Sequence, residues 1–424
     1  MTLVLFLSFV LLLILNVPIA FSLMISSLVA VIYGGFPVVV VIQRAITATD
    51  SFILLAIPFF MIAGNLMDNG GISKRLISFA NSSVGFIRGG LAHVNIVTSM
   101  LFAGITGAAV ADTSAVGSIL IPAMKSEKYS NSFSAAVTGS SSVIGVIIPP
   151  SIPFVIYGVI TGVSVGRLFM AGFIPGILIG LSQMLISYVY AKKYNFGQVK
   201  HFSLRNFFAD LKGSVLALLM PVIILGGIII GVVTPTEAAV LATIYALFIG
   251  FFAYGELSIK RMPGLLLESA KTAATVMFMI AGAYLYGWII TSDQIPQKVV
   301  ALVTNFSSNP SVVLWIFVLI YFVTGMFIDL GASIILLVPV LFPVIQILGI
   351  DPLLFGVVTV MALAIGLVTP PVGACLFISC EIAGIPLAKG ALAAIPFIIG
   401  MFLVLMLIIM FPQLALFIPR IVMG

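Results

Sequence analysis

The polar residues of this chain stand in short clusters between long apolar runs. A run of about 20 apolar residues can cross the hydrocarbon core of a bilayer as one helix. The pattern therefore predicts an all-α polytopic membrane protein. Plain spans are predicted at 53–68, 168–190, 214–232, 236–254, 272–291 and 391–411, and two spans or a pair of half-spans kinked at Pro18 at 2–34.

Four further apolar stretches are interrupted and cannot be plain spans. Segments 89–124 and 312–346 turn back near their middle, which predicts re-entrant helical hairpins, a form tolerated where the backbone is buried in protein or lines a cavity. Segments 133–163 and 353–384 contain a Pro-Pro pair, which cannot continue an α-helix. These two segments are therefore predicted to be broken transmembrane helices.

The chain repeats itself. The pentapeptide FMIAG occurs at 60–64 and again at 278–282, and Asp112 precedes Asp329 by 217 residues. The two Pro-Pro pairs lie 221 residues apart, so the second copy carries a four-residue insertion between its Asp and Pro-Pro markers. Such self-similarity decides the fold class. Repeat one is assigned to 1–191, a basic linker to 192–213 and repeat two to 214–424.

Composition and charge give the topology. With 62% hydrophobic and 7% charged residues the chain is far from a soluble domain, which carries roughly 25% charged residues. The positive-inside rule places the linker in the cytoplasm and leaves four of the eighteen basic residues outside: Arg44, Arg167, Lys298 and Arg420. The first 34 residues have no Lys or Arg, so the start is interpreted as a retained span.

This topology puts both termini outside and makes the two repeats inverted. Their hairpins then enter the membrane from opposite faces. Inverted repeats with broken helices are typical of transporters that bind their substrate near the bilayer midplane and work by alternating access. No Walker A motif occurs in the chain, which argues against ATP hydrolysis here.

Several polar residues and segments allow more than one structural interpretation. Segments 38–52 and 256–272 suit helices lying in the interface plane, or ordinary amphipathic connectors. Glu237 is assigned to a capping box with Thr234, and the two cysteines are assigned to packing. The roles of Arg167 and Glu381 stay open.

The hairpin tips and the helix breaks carry the chemistry in both copies. Gly and Ser lower the cost of irregular backbone there, unwound carbonyls become ligands for a hard cation, and half-helix N-termini attract anions. A membrane-buried Asp is a functional candidate by default, although Asp112 could instead cap the second hairpin helix. The Pro-Pro pairs could likewise be simple kinks.

Four motifs carry a family resemblance that covers essentially the whole chain: GITGAAVADTSAVGSILIPAM, GSSSVIGVIIPPSIP, VTPTEAAV and VTPPVG. With them the chain resembles the large membrane subunit (M subunit) of the tripartite ATP-independent periplasmic (TRAP) transporters. The resemblance implies an elevator-type secondary transporter of the bacterial inner membrane, driven by a Na⁺ gradient, and not an enzyme. It also implies organic-acid substrates, including sialic acids and C4-dicarboxylates, a separate small four-helix membrane subunit and a periplasmic substrate-binding protein.

The resemblance further implies two sets of site residues, with Na⁺ as coupling ion and no organic cofactor. The Na⁺ set is Thr106, Gly107, Gly145, Ile148, Pro149, Gly325, Gly366 and Thr369. The substrate set is Asp112, Thr113, Ser114, Ser140, Ser141, Ser142, Pro150, Asp329, Gly331, Ser333, Pro370 and Pro371.

Three other functions compete with this one. A stand-alone Na⁺/dicarboxylate symporter would need no soluble partner. An intramembrane aspartyl protease would use Asp112 and Asp329 as a dyad that shares one proton. A channel would conduct without inverted hairpins. The two carboxylates belong to equivalent Gly-rich hairpins, which favours a transport site.

Overall fold

The structure, a computed structural model, describes residues 1–197, 201–307 and 309–423, without the side chains of Ile105 and Thr304. Lys200 of the predicted linker lies outside these residues. The described chain is built of α-helices joined by short turns. The helices of repeat one are α1 Thr2–Ile14, α2 Ile19–Tyr33, α3 Val39–Thr49, α4 Ala56–Asn69, α5 Ile72–Val84, α6 Gly90–Thr106, α7 Ala109–Ser126, α8 Asn131–Ser142, α9 Ile152–Thr161 and α10 Val165–Tyr194. Those of repeat two are α11 Leu204–Ile229, α12 Pro235–Phe248, α13 Met262–Ser292, α14 Ile295–Phe306, α15 Pro310–Gly325, α16 Leu330–Ile347, α17 Pro352–Gly366, α18 Ala374–Ala383, α19 Leu387–Met410 and α20 Gln413–Met423.

Seven helical segments of the described chain are long and apolar enough to cross a membrane. Six of them coincide with the six predicted plain spans, and the seventh is α16. The predicted first segment consists of two short helices, and Pro18 precedes the second of them. The seven segments are Phe52–Asn69, Val165–Tyr194, Leu204–Ile229, Pro235–Ala253, Met262–Ser292, Leu330–Ile347 and Leu387–Met410.

The interrupted segments fold as helix pairs. Helices α6 and α7 form the first hairpin, and α15 and α16 form the second. The first broken helix consists of α8, a short 3₁₀ stretch at Val143–Val146 and α9, and the second consists of α17 and α18. In each broken helix the gap contains the Pro-Pro pair, where the ring nitrogens have no proton to continue the helical ladder.

The four-residue insertion extends the C-terminal end of α16 beyond Pro339. Helix α7 ends four residues beyond Pro122, whereas α16 ends eight residues beyond Pro339. Four residues make about one helical turn, or about 6 Å. The two helices are nonetheless equally long, 18 residues each, because α16 begins after Asp329 whereas α7 begins before Asp112. Only α16 is apolar enough to count as a membrane span, since α7 contains Asp112 and Lys125.

The prediction of a second interfacial segment at 256–272 is wrong. From Met262 onward this stretch is the beginning of α13, which runs without a break to Ser292. Pro263 does not interrupt it, because proline is tolerated in the first helical turn. In repeat one, α3 is a separate helix because Asp50 and Ser51 leave the helical conformation before α4 begins.

Contacts join segments that the charge count places on the same side of the membrane. Arg75 forms an ion pair with Glu256 at 2.8 Å, both in predicted cytoplasmic segments. On the predicted outer side, the Thr236 hydroxyl donates to the carbonyl of Phe52 at 3.1 Å, and the backbone N–H of Thr2 donates to Asp293 at 2.7 Å. The absolute sidedness stays a prediction.

Two local predictions are confirmed. Thr234 and Glu237 form the expected capping box, since the Glu237 N–H donates to the Thr234 hydroxyl and the Glu237 carboxylate accepts from the Thr234 N–H. Cys375 and Cys380 are free, buried thiols. Neither feature needs a functional explanation.

Candidate functional site

The tip of the first hairpin lies on the first Pro-Pro break. Helix α6 ends at Thr106, and Gly107 turns the chain with φ of 63°, a left-handed conformation that glycine adopts freely. A Cβ atom added to Gly107 would lie 2.8 Å from the carbonyl oxygen of Pro150. The two irregular backbones therefore touch, and any side chain at residue 107 would separate them.

Asp112 is fully buried at this contact. Its carboxylate accepts a short hydrogen bond from the Thr106 hydroxyl. Its second oxygen, Oδ2, lies against the Cα of Gly145 and has no hydrogen-bond partner within the described part of the chain. An unpartnered buried carboxylate oxygen is costly unless something else satisfies it.

The backbone beside Asp112 offers further oxygen. In a continuous helix the carbonyl of Gly145 would accept from residue 149, but Pro149 has no N–H. The corresponding carbonyl of Val146 accepts the Ser151 hydroxyl at 2.5 Å. A hydroxyl, a carboxylate and a carbonyl, on Thr106, Asp112 and Gly145, thus lie together, and such hard oxygen donors suit a hard cation.

The capping alternative for Asp112 is wrong. Helix α7 begins at Ala109, three residues earlier, and its N-cap residue Ala108 contributes no side-chain hydrogen bond. Asp112 lies in the first turn. The equivalent residue of repeat two, Asp329, does cap its helix, because its side chain accepts from the N–H of Gly331 at 2.9 Å.

The second hairpin repeats the contact between tip and break. A Cβ atom on Gly366 would lie 2.7 Å from the Cα of Gly325, so α17 and the end of α15 meet backbone to backbone. The N–H of Val372 donates to the carbonyl of Met326 at 3.2 Å. Both Pro-Pro bonds, 149–150 and 370–371, are cis. In each repeat, the hairpin tip therefore lies on the broken helix of the same repeat.

The backbone carbonyls at the second break accept more hydrogen bonds than those at the first. Gly366 accepts from the N–H of Thr369 at 3.0 Å, and Leu367 accepts from the N–H of Cys375 at 3.0 Å. The Thr369 hydroxyl donates to the carbonyl of Ile365. Any cation here would be held by second lone pairs of these carbonyls and by the Thr369 oxygen.

The two repeats meet through their hairpins. Helix α18 of repeat two packs on α7 and α8, where a Cβ on Gly139 would lie 3.2 Å from the Cys375 carbonyl. Reciprocally, α16 packs on α9, where a Cβ on Gly331 would lie 3.4 Å from Ile156 Cδ1. The second helix of each hairpin thus contacts the second half of the broken helix in the other repeat: α7 contacts α18, and α16 contacts α9.

The remaining members of the substrate set differ in exposure. Ser140, Ser141 and Ser142 are fully buried in α8, and Pro150 and Ser333 are also buried, as is Pro149 of the Na⁺ set. Ser114, Asp329 and Pro371 are exposed. The accessible part of the candidate site therefore includes Ser114 of repeat one and Asp329 and Pro371 of repeat two, while the three serines of α8 are enclosed.

A buried polar network holds α6 against α8, and the sequence analysis did not identify it. Asn95 donates to the Thr138 hydroxyl at 2.6 Å and accepts from Ser141 at 3.0 Å. The Gln183 amide of α10 donates to the carbonyl of Ser140 at 2.8 Å. A signal was present, since Asn95 and Gln183 are uncharged polar residues inside apolar segments.

The sequence of this chain is similar to those of known transport proteins. A family model described as "Tripartite ATP-independent periplasmic transporter, DctM component" matches residues 6–414. The sialic acid TRAP transporter large permease protein SiaM of Vibrio cholerae is 40% identical over 96% of this chain and 96% of its own length. The C4-dicarboxylate TRAP transporter large permease protein DctM of Pseudomonas aeruginosa is 39% identical over 88% and 87%.

Two further similarities extend the comparison. The isethionate TRAP transporter permease protein DctMQ of Oleidesulfovibrio alaskensis is 39% identical over 98% of this chain, which spans 66% of that protein. The solved YdaH transporter of Alcanivorax borkumensis superposes with a TM-score of 0.65 at 13% identity, covering 87% of this chain and 86% of that one. At that identity the similarity concerns the fold alone.

Proposed function

The chain belongs to the DctM component family of tripartite ATP-independent periplasmic transporters, and we propose that it takes up an organic acid by coupling it to an inward Na⁺ gradient. It is a multi-pass membrane protein of the permease type and not an enzyme. The observation that carries the proposal is the twofold contact of a hairpin tip with a Pro-Pro break, once in each repeat.

The oxygen atoms at these contacts support Na⁺ coupling. At the first, Asp112 and Thr106 stand beside Gly145, and Asp112 retains an oxygen with no partner in the described chain. We assign Asp112 to the cation as well as to the substrate set, because its carboxylate contacts two members of the Na⁺ set. Gly325, Gly366 and Thr369 are the counterparts at the second contact.

The substrate is proposed to be a carboxylate of the sialic acid or C4-dicarboxylate class. Those are the solutes in the names of two close relatives. Helices α9 and α18 begin directly after the Pro-Pro breaks, and the N-terminal end of a helix carries partial positive charge that favours an anion. The exposed Asp329 and Ser114 border that region and would contact hydroxyl or amide groups of the substrate.

The partners are proposed from the family. A small membrane subunit would complete the permease, consistent with a relative named DctMQ of which this chain spans 66%. A periplasmic binding protein would deliver the acid. Alternating access would proceed as an elevator, with the two hairpins and the two broken helices moving together, because within each repeat they are in backbone contact.

Reconstitution tests the proposal. The permease with its small subunit and loaded binding protein, in proteoliposomes, should accumulate radiolabelled acid only under an inward Na⁺ gradient. Replacement of external Na⁺ by K⁺ should abolish accumulation. Thr106→Val, which removes the hydroxyl, should weaken the Na⁺ dependence, while Thr106→Ser should preserve it. Equal uptake in K⁺ would contradict Na⁺ coupling.

The same proteoliposomes distinguish this function from that of a stand-alone symporter. If the acid accumulates at the same rate when the binding protein is omitted, the permease needs no soluble partner. We expect uptake to require that protein.

A further inference from the structure

A cavity of about 450 Å³ lies outside both sets of candidate site residues. It is lined by α3 and the following Ser51, and by α9, α13 and α16, so it lies between the α3–α13 pair and the hairpin and broken helix that carry the candidate site. Its volume is within the roughly 300–1,000 Å³ typical of small-molecule sites. Most of the wall is apolar, and the polar groups come from α3 and from the end of α13.

One cation, Arg44, lines this cavity. Its guanidinium lies over the ring of Trp288, 5.2 Å from the centroid, and the edge of Phe36 packs against the same indole at 5.4 Å. Within the described chain no carboxylate lies within 4.0 Å of Arg44, and it donates no hydrogen bond. The aromatic face thus holds the cation in place while its five N–H donors stay available for an anion.

The cavity leads towards the tip of the second hairpin. At the tip, Gly331 faces Ile156 of α9 and Met279 of α13. About one helical turn, or about 6 Å, further along the same three helices lie Ile335, Val159 and Ala283, which line the cavity. A ligand leaving the cavity in this direction would arrive at Asp329, Gly331 and Ser333.

We propose that this cavity is an outer receiving site for an organic acid, in which Arg44 binds the carboxylate before the acid reaches the hairpin tip. The inference rests on the proposed uptake of an organic acid. Arg44 would act as a specificity-determining residue that admits anions and excludes neutral solutes. The apolar walls formed by Ile280 and Ile335 would contact the body of the substrate, and Tyr284 and Ser51 offer hydroxyl groups.

Trp288 provides a direct binding assay. The chain has two tryptophans, so Trp315→Phe leaves Trp288 as the single reporter. Succinate or N-acetylneuraminate, added with choline in place of Na⁺, should change its emission saturably as the carboxylate draws the guanidinium from the indole. Arg44→Gln should abolish the saturable change. Arg44→Lys should require at least about tenfold more ligand, because lysine cannot make the bidentate contact.

Matched controls separate this site from others. Arg420→Gln removes another charge from the same predicted side and should leave the titration unchanged. A response that appears only with Na⁺ would report the hairpin site and overturn the proposal. A response to phosphatidylglycerol added to phosphatidylcholine nanodiscs, with none to either acid, would assign the cavity to a lipid phosphate and also overturn it.

Transport measurements test the consequence. In the reconstituted system, Arg44→Gln should raise the KM for the acid about tenfold or more and leave the maximal rate near that of the unsubstituted protein. An unchanged KM would refute the receiving role. Absence of Na⁺-driven uptake by the unsubstituted protein would instead refute the proposed function, while the Trp288 titration would still decide whether the cavity binds carboxylates.

Discussion

Substitution of Gly366 by alanine should disable the second contact between hairpin tip and break. The added Cβ would lie 2.7 Å from Gly325 Cα and 2.8 Å from its carbonyl oxygen, whereas ordinary contact begins at 3.4 Å, so the two backbones must part by at least 0.7 Å. Neither neighbour is a flexible side chain that can swing away. Binding constellations tolerate displacements of about 0.5 Å, so the ligand geometry should be lost.

The expected effect follows from the cost of overpacking, about 1–3 kcal/mol. If the overpacking destabilises the cation-bound conformation by this free energy, the Na⁺ concentration for half-maximal uptake should rise about 5- to 150-fold. Initial uptake rates at varied external Na⁺ measure it, with size-exclusion chromatography as the check on folding.

A control for this substitution is Gly226→Ala in α11. Apart from its own helix, no atom of the described residues lies within 4 Å of the Cβ added to Gly226, and alanine is the better helix former by about 0.5–1 kcal/mol. Gly226→Ala should therefore leave the Na⁺ dependence unchanged. A Gly366→Ala protein that folds and keeps the unsubstituted Na⁺ dependence would show that this contact is no part of the cation site.

Three further substitutions test the structural contacts. Asn95→Ala removes the donor to the buried Thr138 hydroxyl and one acceptor of Ser141, which keeps its bonds with Ser99 and the Thr138 carbonyl. The loss of a buried partner costs about 1–3 kcal/mol, so the thermal unfolding midpoint should fall, which a fluorescence melt in detergent would show or disprove. Thr234→Ala breaks the capping box at a cost of about 1 kcal/mol, and Thr234→Ser should restore the midpoint. Asp293→Asn weakens the hydrogen bonds from Thr2, which hold the pKa of Asp293 below its usual range. The contact should stabilise the start of α1 above the ordinary Asp pKa and be lost as the pH falls through the lowered value. The protection factors of the α1 amides, which correct for the slower intrinsic exchange in acid, should therefore fall in acid for the unsubstituted protein and already at neutral pH for Asp293→Asn.

The sequence located the hairpins and breaks because their signals are local. Proline removes a hydrogen-bond donor wherever it stands, and a Gly-rich interruption of an apolar run marks a turn in any context. The FMIAG copies lie in α4 and α13, and in each repeat one further helix, α5 or α14, lies between that helix and the hairpin. Prolines and Gly-rich interruptions that recur in both repeats are therefore sufficient to predict a hairpin and a helix break in each.

The errors came from features that depend on neighbouring structure. The amphipathic pattern of 256–272 fits a helix lying flat and equally fits the polar end of a long span, and only the continuity of α13 decides between them. The role of Asp112 depended on where α7 begins, which the two-residue turn at Gly107 and Ala108 fixes. The buried network around Asn95 required knowledge of which helix faces α6.

The two aspartates that repetition makes equivalent have different environments, and this difference argues against a shared chemical role. Asp112 is enclosed, bonded to Thr106 and lying on Gly145. Asp329 is exposed and caps α16. A protease dyad needs two carboxylates in one hydrogen-bonded unit, and within the described residues neither aspartate donates to or accepts from the other. We propose instead that the two aspartates have different roles, because an enclosed carboxylate suits a small cation, whereas an exposed one suits a larger solute. The contact between hairpin tip and break is thus present in both repeats, while the burial and the hydrogen bonds of their two aspartates differ.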